Sequence, residues 1–353
     1  MRSRLRFWKY PIIIVLLLLV VAAFTLIYAL SETAKAPHEP VETPTPVVNL
    51  TPEPPDETEP PDEPEPEPPV EPTPEPPEEI SYNPLADGFI PFLVEASDIH
   101  RGHLLLVNHD HSYTIPEDID LVNIKEYQTT TFRVQHERDR LARSIMAPLD
   151  EMMEEFINAT GVRNVAVISA FRTIENQQSI LNSYINRMGR TEALRWAALP
   201  GHSEHHTGLA LDFGVMTGAT RVAFTGTGTH AWVRRNSHNF GFILRYQQSK
   251  THITKTADEP WHYRYVGIPH ATIMFQNDLC LEEYIDFIRD YSFDEPLEFE
   301  HRGMEYIIYF TTETEIKLPL YSEYEISGNN VDGFIVTAIL LEHDPSEITD
   351  VSI

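Results

Sequence analysis

Two short stretches of this 353-residue chain concentrate the side chains able to do hydrolytic chemistry. The first, GHSEHHTGLALDFG from Gly201 to Gly214, sets His205 and Asp212 seven residues apart across a Thr207-Gly208 turn signal, and the aspartate closes the apolar run Leu209-Ala210-Leu211. The second, DEPWHYRYVG from Asp258 to Gly267, brackets Pro260 and Trp261 between Glu259 and His262. Two imidazoles and one carboxylate make a nitrogen and oxygen set suited to zinc, with a fourth position open to water as hydrolytic sites require. Such a site also needs a carboxylate that does not ligate, to act as general base, and Glu259 can fill that role. Spacing alone is a weak signal, because the chain holds 16 histidines and 54 acidic residues. The combination is stronger: a histidine-rich turn entering an apolar strand, with a Glu-Pro-Trp-His segment downstream, is hard to explain by packing alone.

Several elements must hold these segments in place. Leu141, Ile145, Leu149, Met152 and Phe156 recur every three or four residues, which predicts a helix from about Arg138 to Ala159, kinked at Pro148 and ended by Gly161. Val165-Ala166-Val167-Ile168 then reads as a buried strand, with Arg172 on the loop just beyond it. Taken alone, Arg172 is a surface ion-pair residue. Gln177 to Ala198 reads as a second helix broken near Gly189, Ala231 to Phe240 as a third, and Phe242-Ile243-Leu244 as a strand leading towards Glu259. Trp261 is expected to be packing that fixes the His262 rotamer. Upstream, Leu104 to Asn108 reads as a strand and the segment through Ile115-Pro116-Glu117-Asp118 as a loop, with His109 and His111 as structural neighbours. Downstream, Ala271 to Tyr291 reads as a helix holding Cys280 as a buried apolar residue. Strand-like runs at Tyr306–Phe310, Glu325–Ser327 and Phe334–Val336 then predict a small β-rich extension, either a stabilising appendage or a module that binds wall or shapes substrate.

Composition separates delivery from chemistry. Arg2, Arg4, Arg6 and Lys9 precede an apolar stretch from Pro11 to Leu30, long enough to span a bilayer as a helix with the N-terminus on the cytoplasmic side. A cleaved signal peptide is the rival reading; its apolar core would be shorter, and Pro37 after Ala34-Lys35-Ala36 is a poor cleavage context. From Pro37 to Ile80 there are 14 acidic residues and no Lys or Arg, so about half of the formal charge of -28 lies in a Pro/Glu-rich tether. That composition predicts an extended, solvated spacer. Nucleic acid is not the expected partner, since phosphate binding calls for a basic face. Cys280 is the only cysteine, which excludes an intrachain disulfide without deciding the compartment.

Four strings carry a family resemblance: SAFRTIENQQ (Ser169 to Gln178), PGHSEHHTGLALD (Pro200 to Asp212), NFGFILRY (Asn239 to Tyr246) and EPWHYRYVG (Glu259 to Gly267). In this order, across most of residues 100 to 290, they closely resemble the VanY-type zinc D-alanyl-D-alanine carboxypeptidases. The resemblance implies zinc ligands His205, Asp212 and His262, Glu259 as catalytic base, Arg172 stabilising the oxyanion, and Ser203 helping to hold substrate. Gln177 matches a recurrent position of the motif, although helix capping or packing explains it equally well. The chain departs from the family pattern at His202, often aromatic, at His206, often Gln, and in SAFR for SGYR. His202 or His206 could therefore compete for metal, while register with Gly208 and Asp212 favours His205.

The resemblance also implies the fold class, an α+β architecture with a small, mainly antiparallel sheet flanked by helices (D-Ala-D-Ala metallopeptidase or Hedgehog-like) and zinc in an open cleft. The expected layout is a basic flank at 1–10, a transmembrane helix at 11–30, a disordered linker at 31–82, the catalytic domain at 83–292 and the β-rich extension at 293–353. The expected activity is hydrolysis of the terminal D-Ala-D-Ala bond of peptidoglycan stem peptides on the wall side of the cell membrane, with the lipid bilayer as a further partner and no nucleic acid. Alternatives are a zinc peptidase acting on free D-Ala-D-Ala or on L-alanyl-D-glutamate, or a wall-binding module without catalysis, which would predict a damaged ligand set.

Overall fold

The computed structural model describes residues 88–340, apart from 129–131 and 321. The expected membrane helix, the acidic tether and the last thirteen residues lie outside the described residues. Among the described residues no helix is long and apolar enough to cross a membrane.

The fold mixes helices with small sheets, and a six-stranded sheet is built around Ala210–Thr217. That strand pairs antiparallel with Val165–Ser169 on one side and His262–Tyr265 on the other, and its far end pairs with Thr220–Ala223. Phe242–Leu244 extends the sheet beyond His262–Tyr265, and Arg133–Val134 adds the one parallel pairing. Alternation divides the central strand by face. Leu209, Leu211, Phe213 and Val215 enter the main core with Leu149, Met152, Met153 and Phe156. Asp212, between Leu211 and Phe213, is left for the opposite face.

The helix carrying those core residues runs from Met146 to Thr160 and ends at Gly161. Its start differs from the periodicity reading, because Leu141 belongs to a short strand, Arg140–Ala142. Pro148 therefore falls in the first turn, where its missing N–H forfeits no intrahelical bond, and is not an interior break. The second predicted helix is two, Ile174–Met188 and Arg190–Ala193, divided at Gly189 as expected. The helix expected from Ala271 to Tyr291 is likewise split into His270–Gln276 and Leu281–Phe287, with Asp278 in the left-handed region between them at φ 51°. Cys280 caps the second of these and is buried, as expected.

Leu104 to Asn108, expected as a strand, is buried but joins no sheet. Its backbone groups find partners elsewhere. Leu104 N–H donates to Ser327 Oγ at 2.9 Å, Leu106 N–H to Asn329 O at 3.0 Å, and the carbonyls of His103 and Leu105 each accept from Arg264 Nη2 at 3.0 Å. Buried backbone must be satisfied, and side chains together with one loop carbonyl replace a ladder here.

The C-terminal part is β-rich, as expected: a four-stranded antiparallel sheet of Leu297–His301, Met304–Thr311, Phe334–Leu340 and Ser322–Gly328, in that spatial order. Its Tyr306, Ile308 and Ile335 share one core with Val266, Met274, Tyr284 and Ile288. The Asn330 side chain also donates to Leu106 O and Ser112 O. Residues on both sides of position 292 thus belong to one compact unit.

Candidate metal centre and active site

Strand register brings the chemistry together. Asp212 lies directly opposite His262 on one side and Ser169 on the other, so the three residues form a row across the sheet. His205 reaches the row from a short 3-10 turn, Glu204–Thr207, that feeds the central strand through Gly208. Gly208 has φ +72°, and a Cβ there would stand 2.6 Å from Leu121 Cδ2 and 3.1 Å from Ala142 N. Both the backbone angle and the close approach require glycine.

The predicted ligands meet. Ligand atoms of His205, Asp212 and His262 all lie within 4.8 Å of one another, and all three residues are buried. Hydrogen bonds identify the nitrogens that face inward. His205 Nδ1 donates to Ala170 O at 2.7 Å, leaving Nε2 buried without a hydrogen-bond partner and 3.5 Å from Asp212 Oδ1. His262 Nδ1 is 3.0 Å from the same oxygen, while its Nε2 faces Glu204 Oε2 at 3.4 Å. An orphaned buried nitrogen beside a second imidazole and a carboxylate is a donor set that fits a divalent cation.

The competing histidines are committed elsewhere. His206 accepts from Gly201 N–H through Nε2 at 3.1 Å and donates to Arg172 O through Nδ1 at 2.7 Å. His202 Nδ1 bonds Asn108 O at 2.8 Å. Neither belongs to the metal-competent cluster found among the described residues.

Arg172 is half-buried and held by three side chains. Its Nη2 donates to Asp212 Oδ2 at 2.8 Å and to Ser169 Oγ at 2.7 Å, and its Nη1 to Gln177 Oε1 at 3.3 Å. The Gln177 amide donates in turn to Ala198 O at 2.8 Å, so this buried side chain braces Arg172. Glu259 is buried, with Oε2 3.8 Å from His262 Nδ1, and its backbone N–H is tied to Tyr246 O. Arg172, Gln177, Ser203, Glu259 and the three candidate ligands all line one cleft, walled by Tyr184, Trp196, Tyr246 and Trp261. Trp261 packs partly against the main core. The ring set against His262 is that of Tyr246, with centroids 4.8 Å apart.

Burial pushes His205 down to about 4, aided by the Arg172 charge, so its imidazole is neutral near pH 7 as ligation requires. Burial works against ionised Asp212, but His205, His262 and Arg172 hold it well below the usual carboxylate range. Burial raises Glu259 to about 8. For His262, burial disfavours the cation, yet hydrogen bonds to Asp212 and Glu204 push it up to about 9. With no ion bound, His262 keeps a proton against Asp212, and a divalent cation would take that proton's place where Nδ1, Nε2 and Oδ1 converge.

Sequence reasoning passed over a buried polar group behind the ligands. Glu204 Oε1 accepts from Arg245 Nε at 2.8 Å and from Arg264 Nη1 at 3.0 Å, and Arg245 forms a second, two-bonded pair with Glu282 at 2.7 and 2.8 Å. Burial disfavours the Glu204 anion, but the two guanidiniums hold it below the usual range. The signal was present in the sequence: Arg245 and Arg264 each interrupt or end an apolar run, where a charge is rare unless paired.

A family model for VanY, described as D-alanyl-D-alanine carboxypeptidase, matches residues 138–268. A D-alanyl-D-alanine carboxypeptidase of Enterococcus faecium is 32% identical over 252 residues, spanning 69% of this chain and 77% of that protein. Among solved structures, the vancomycin-resistance D,D-dipeptidase VanXYg, in complex with a D-Ala-D-Ala phosphinate analogue, aligns with TM-score 0.64 at 32% identity, covering 71% of this chain and 99% of that one. A VanY D,D-pentapeptidase from a VanB-type resistance cassette, solved as a point mutant with Zn(II), aligns at 33% identity over 52% of this chain and 98% of its own, with TM-score 0.44. Matching motifs, their assembly around one buried cluster, and a relative aligned over most of its length agree, and the chain belongs to the VanY family of D-alanyl-D-alanine carboxypeptidases.

Proposed function

We propose that this protein is a zinc D,D-carboxypeptidase that removes the terminal D-alanine from peptidoglycan stem peptides on the outer side of the cell membrane. The observation that carries the reading is the buried convergence of His205, Asp212 and His262, with Glu259 beside it in an open cleft. His205 Nε2, His262 Nδ1 and Asp212 Oδ1 would hold the zinc, which when bound acidifies water and polarises the scissile carbonyl. Glu259 accepts the proton of the attacking water. As the water oxygen bonds to the carbonyl carbon and the C–N bond breaks, the same carboxyl returns that proton to the departing D-alanine amine. Arg172, fixed by Ser169 and Gln177, offsets negative charge on the tetrahedral oxygen. Ser203, which lines the cleft, positions the peptide, and Gln177, expected from the sequence to bind substrate, acts through Arg172. The basic flank, the apolar stretch at 11–30 and the acidic tether support a membrane-anchored enzyme reaching into the wall, with its N-terminus in the cytoplasm.

A second reading, cleavage of free D-Ala-D-Ala as well, is favoured by the alignment over 99% of a D,D-dipeptidase. One experiment separates these readings: D-alanine release by the full-length protein from a pentapeptide ending in D-Ala-D-Ala and from the free dipeptide, before and after chelation and zinc return. Zinc-dependent release from the pentapeptide is expected. Release from neither substrate by a protein with stoichiometric metal would overturn the proposal.

A further inference from the structure

We propose that Glu204, clamped by Arg245 and Arg264, is a positioning residue whose carboxylate takes the Nε2–H of His262 and thereby turns Nδ1 towards the metal. The inference rests on the reading of His262 as a ligand, and it adds a role for a residue that touches neither metal nor substrate.

The two oxygens of Glu204 divide the work. Oε1 receives Arg245 Nε and Arg264 Nη1, at 2.8 and 3.0 Å, which fixes the carboxylate between two guanidiniums. Oε2 is thereby left facing His262 Nε2 at 3.4 Å, with both side chains almost without solvent contact. The clamp is itself braced. Arg264 spends three further N–H groups on Tyr265 O, His103 O and Leu105 O, and Arg245 is gripped from the far side by Glu282, which also accepts from Asn108. Two carboxylates and two guanidiniums therefore lie in the interior with their polar atoms engaged.

Such an assembly is a poor way to fill space. Desolvating four charges costs several kcal/mol per ion before pairing recovers it, and apolar side chains of similar volume commonly do as well or better for stability. What apolar groups cannot do is select an imidazole tautomer. A ring nitrogen is presented to a metal only when the other nitrogen holds the proton, and a carboxylate acceptor on that proton also raises the basicity of the ligating nitrogen. His205 obtains its tautomer from a backbone carbonyl, Ala170 O. Among the described residues no backbone carbonyl bonds the His262 ring, whose acidic neighbours are Asp212, Glu204 and Glu259. Asp212 and Glu259 lie on the Nδ1 side, which leaves Glu204 as the group that holds Nε2–H.

The test uses the full-length protein, wild type and Glu204→Gln, with two readouts: zinc affinity by competition with a chromophoric chelator, and ring-nitrogen NMR of the zinc-loaded protein. The Gln side chain keeps size and hydrogen bonding but can offer an N–H to Nε2, which favours the wrong tautomer. A loss of about 10–100-fold in zinc affinity is expected, with Glu204→Asp recovering part of it and wild-type His262 showing a protonated Nε2. A folded Glu204→Gln protein whose zinc affinity and His262 tautomer match wild type overturns the inference. So does wild-type protein in which Nε2 carries the metal, a result that needs no variant to fold. Wild type that binds no stoichiometric zinc fails differently, by removing the metal-centre reading itself.

Discussion

Replacing Glu259 by Gln should abolish turnover and, with zinc removed by chelator, stabilise the fold. The carboxyl is buried and raised from an ordinary 4.5 to about 8 by that burial. Below pH 4.5 the acid is neutral in folded and unfolded chains alike, so its folded environment carries no penalty. Between there and about pH 8 the unfolded chain releases a proton that the folded chain keeps, and stability falls as pH rises. At about 1.4 kcal/mol for each pH unit, the interval from 4.5 to about 8 bounds the loss at roughly 5 kcal/mol; water entry and local relaxation should leave about 2–3. The neutral Gln side chain has no such interval. Urea midpoints of wild type and Glu259→Gln, both in chelator, should therefore lie close together at pH 5 and separate by pH 8 with the variant higher. In parallel, kcat for D-alanine release should fall about 10²–10⁴-fold, the usual contribution of a positioned base, while zinc stoichiometry is unchanged because Glu259 is not a ligand. A midpoint difference that does not widen between the two pH values would refute the burial account. A kcat loss under tenfold would refute the base.

Arg172→Lys should lower kcat by about 10²-fold, some 3 kcal/mol of transition-state stabilisation, because an ammonium cannot span Ser169, Gln177 and Asp212 together; steady-state kinetics in which only KM moved would contradict an oxyanion role. Gly208→Ala should destabilise by about 1–3 kcal/mol, since it sets a side chain at φ +72° against Leu121 and Ala142. Thermal denaturation checks this, and an unchanged midpoint would mean that the turn between His205 and Asp212 can re-form.

How much of this was legible in the sequence depends on whether a residue's role is set locally or by register. The central strand alternates apolar and site-facing positions over Leu209 to Phe213, and local pattern was enough to find it. The ligand set was found from motif types, and the structure supplies the reason that two distant segments meet: Asp212 and His262 are cross-strand partners. The missed features are those whose partners come from elsewhere in the chain. Leu104 to Asn108 has the composition of a strand, but its hydrogen bonds go to Ser327, Asn329, Asn330 and Arg264, so no ladder forms. The long helix predicted at 271–291 splits in two where tertiary contacts reward a turn more than propensity rewards continuation. Glu204 drew no assignment from the sequence because its arginines lie 41 and 60 residues away.

The same division explains why the site has two kinds of support. Ser169, Asp212 and His262 stand on adjacent strands, so backbone register alone fixes their spacing and little side-chain assistance is needed for position. Orientation is a separate problem, because a strand sets where an imidazole is rooted and leaves open which nitrogen it presents. Each remaining bond around the centre answers that question for one group. Ala170 O orients His205, Arg172, itself held by Ser169, orients the outer oxygen of Asp212, and Glu204 orients His262. The acceptor for His205 is a carbonyl already fixed by the chain. That for His262 is a side chain, which must itself be held, and Arg245, Arg264 and Glu282 are the residues that hold it.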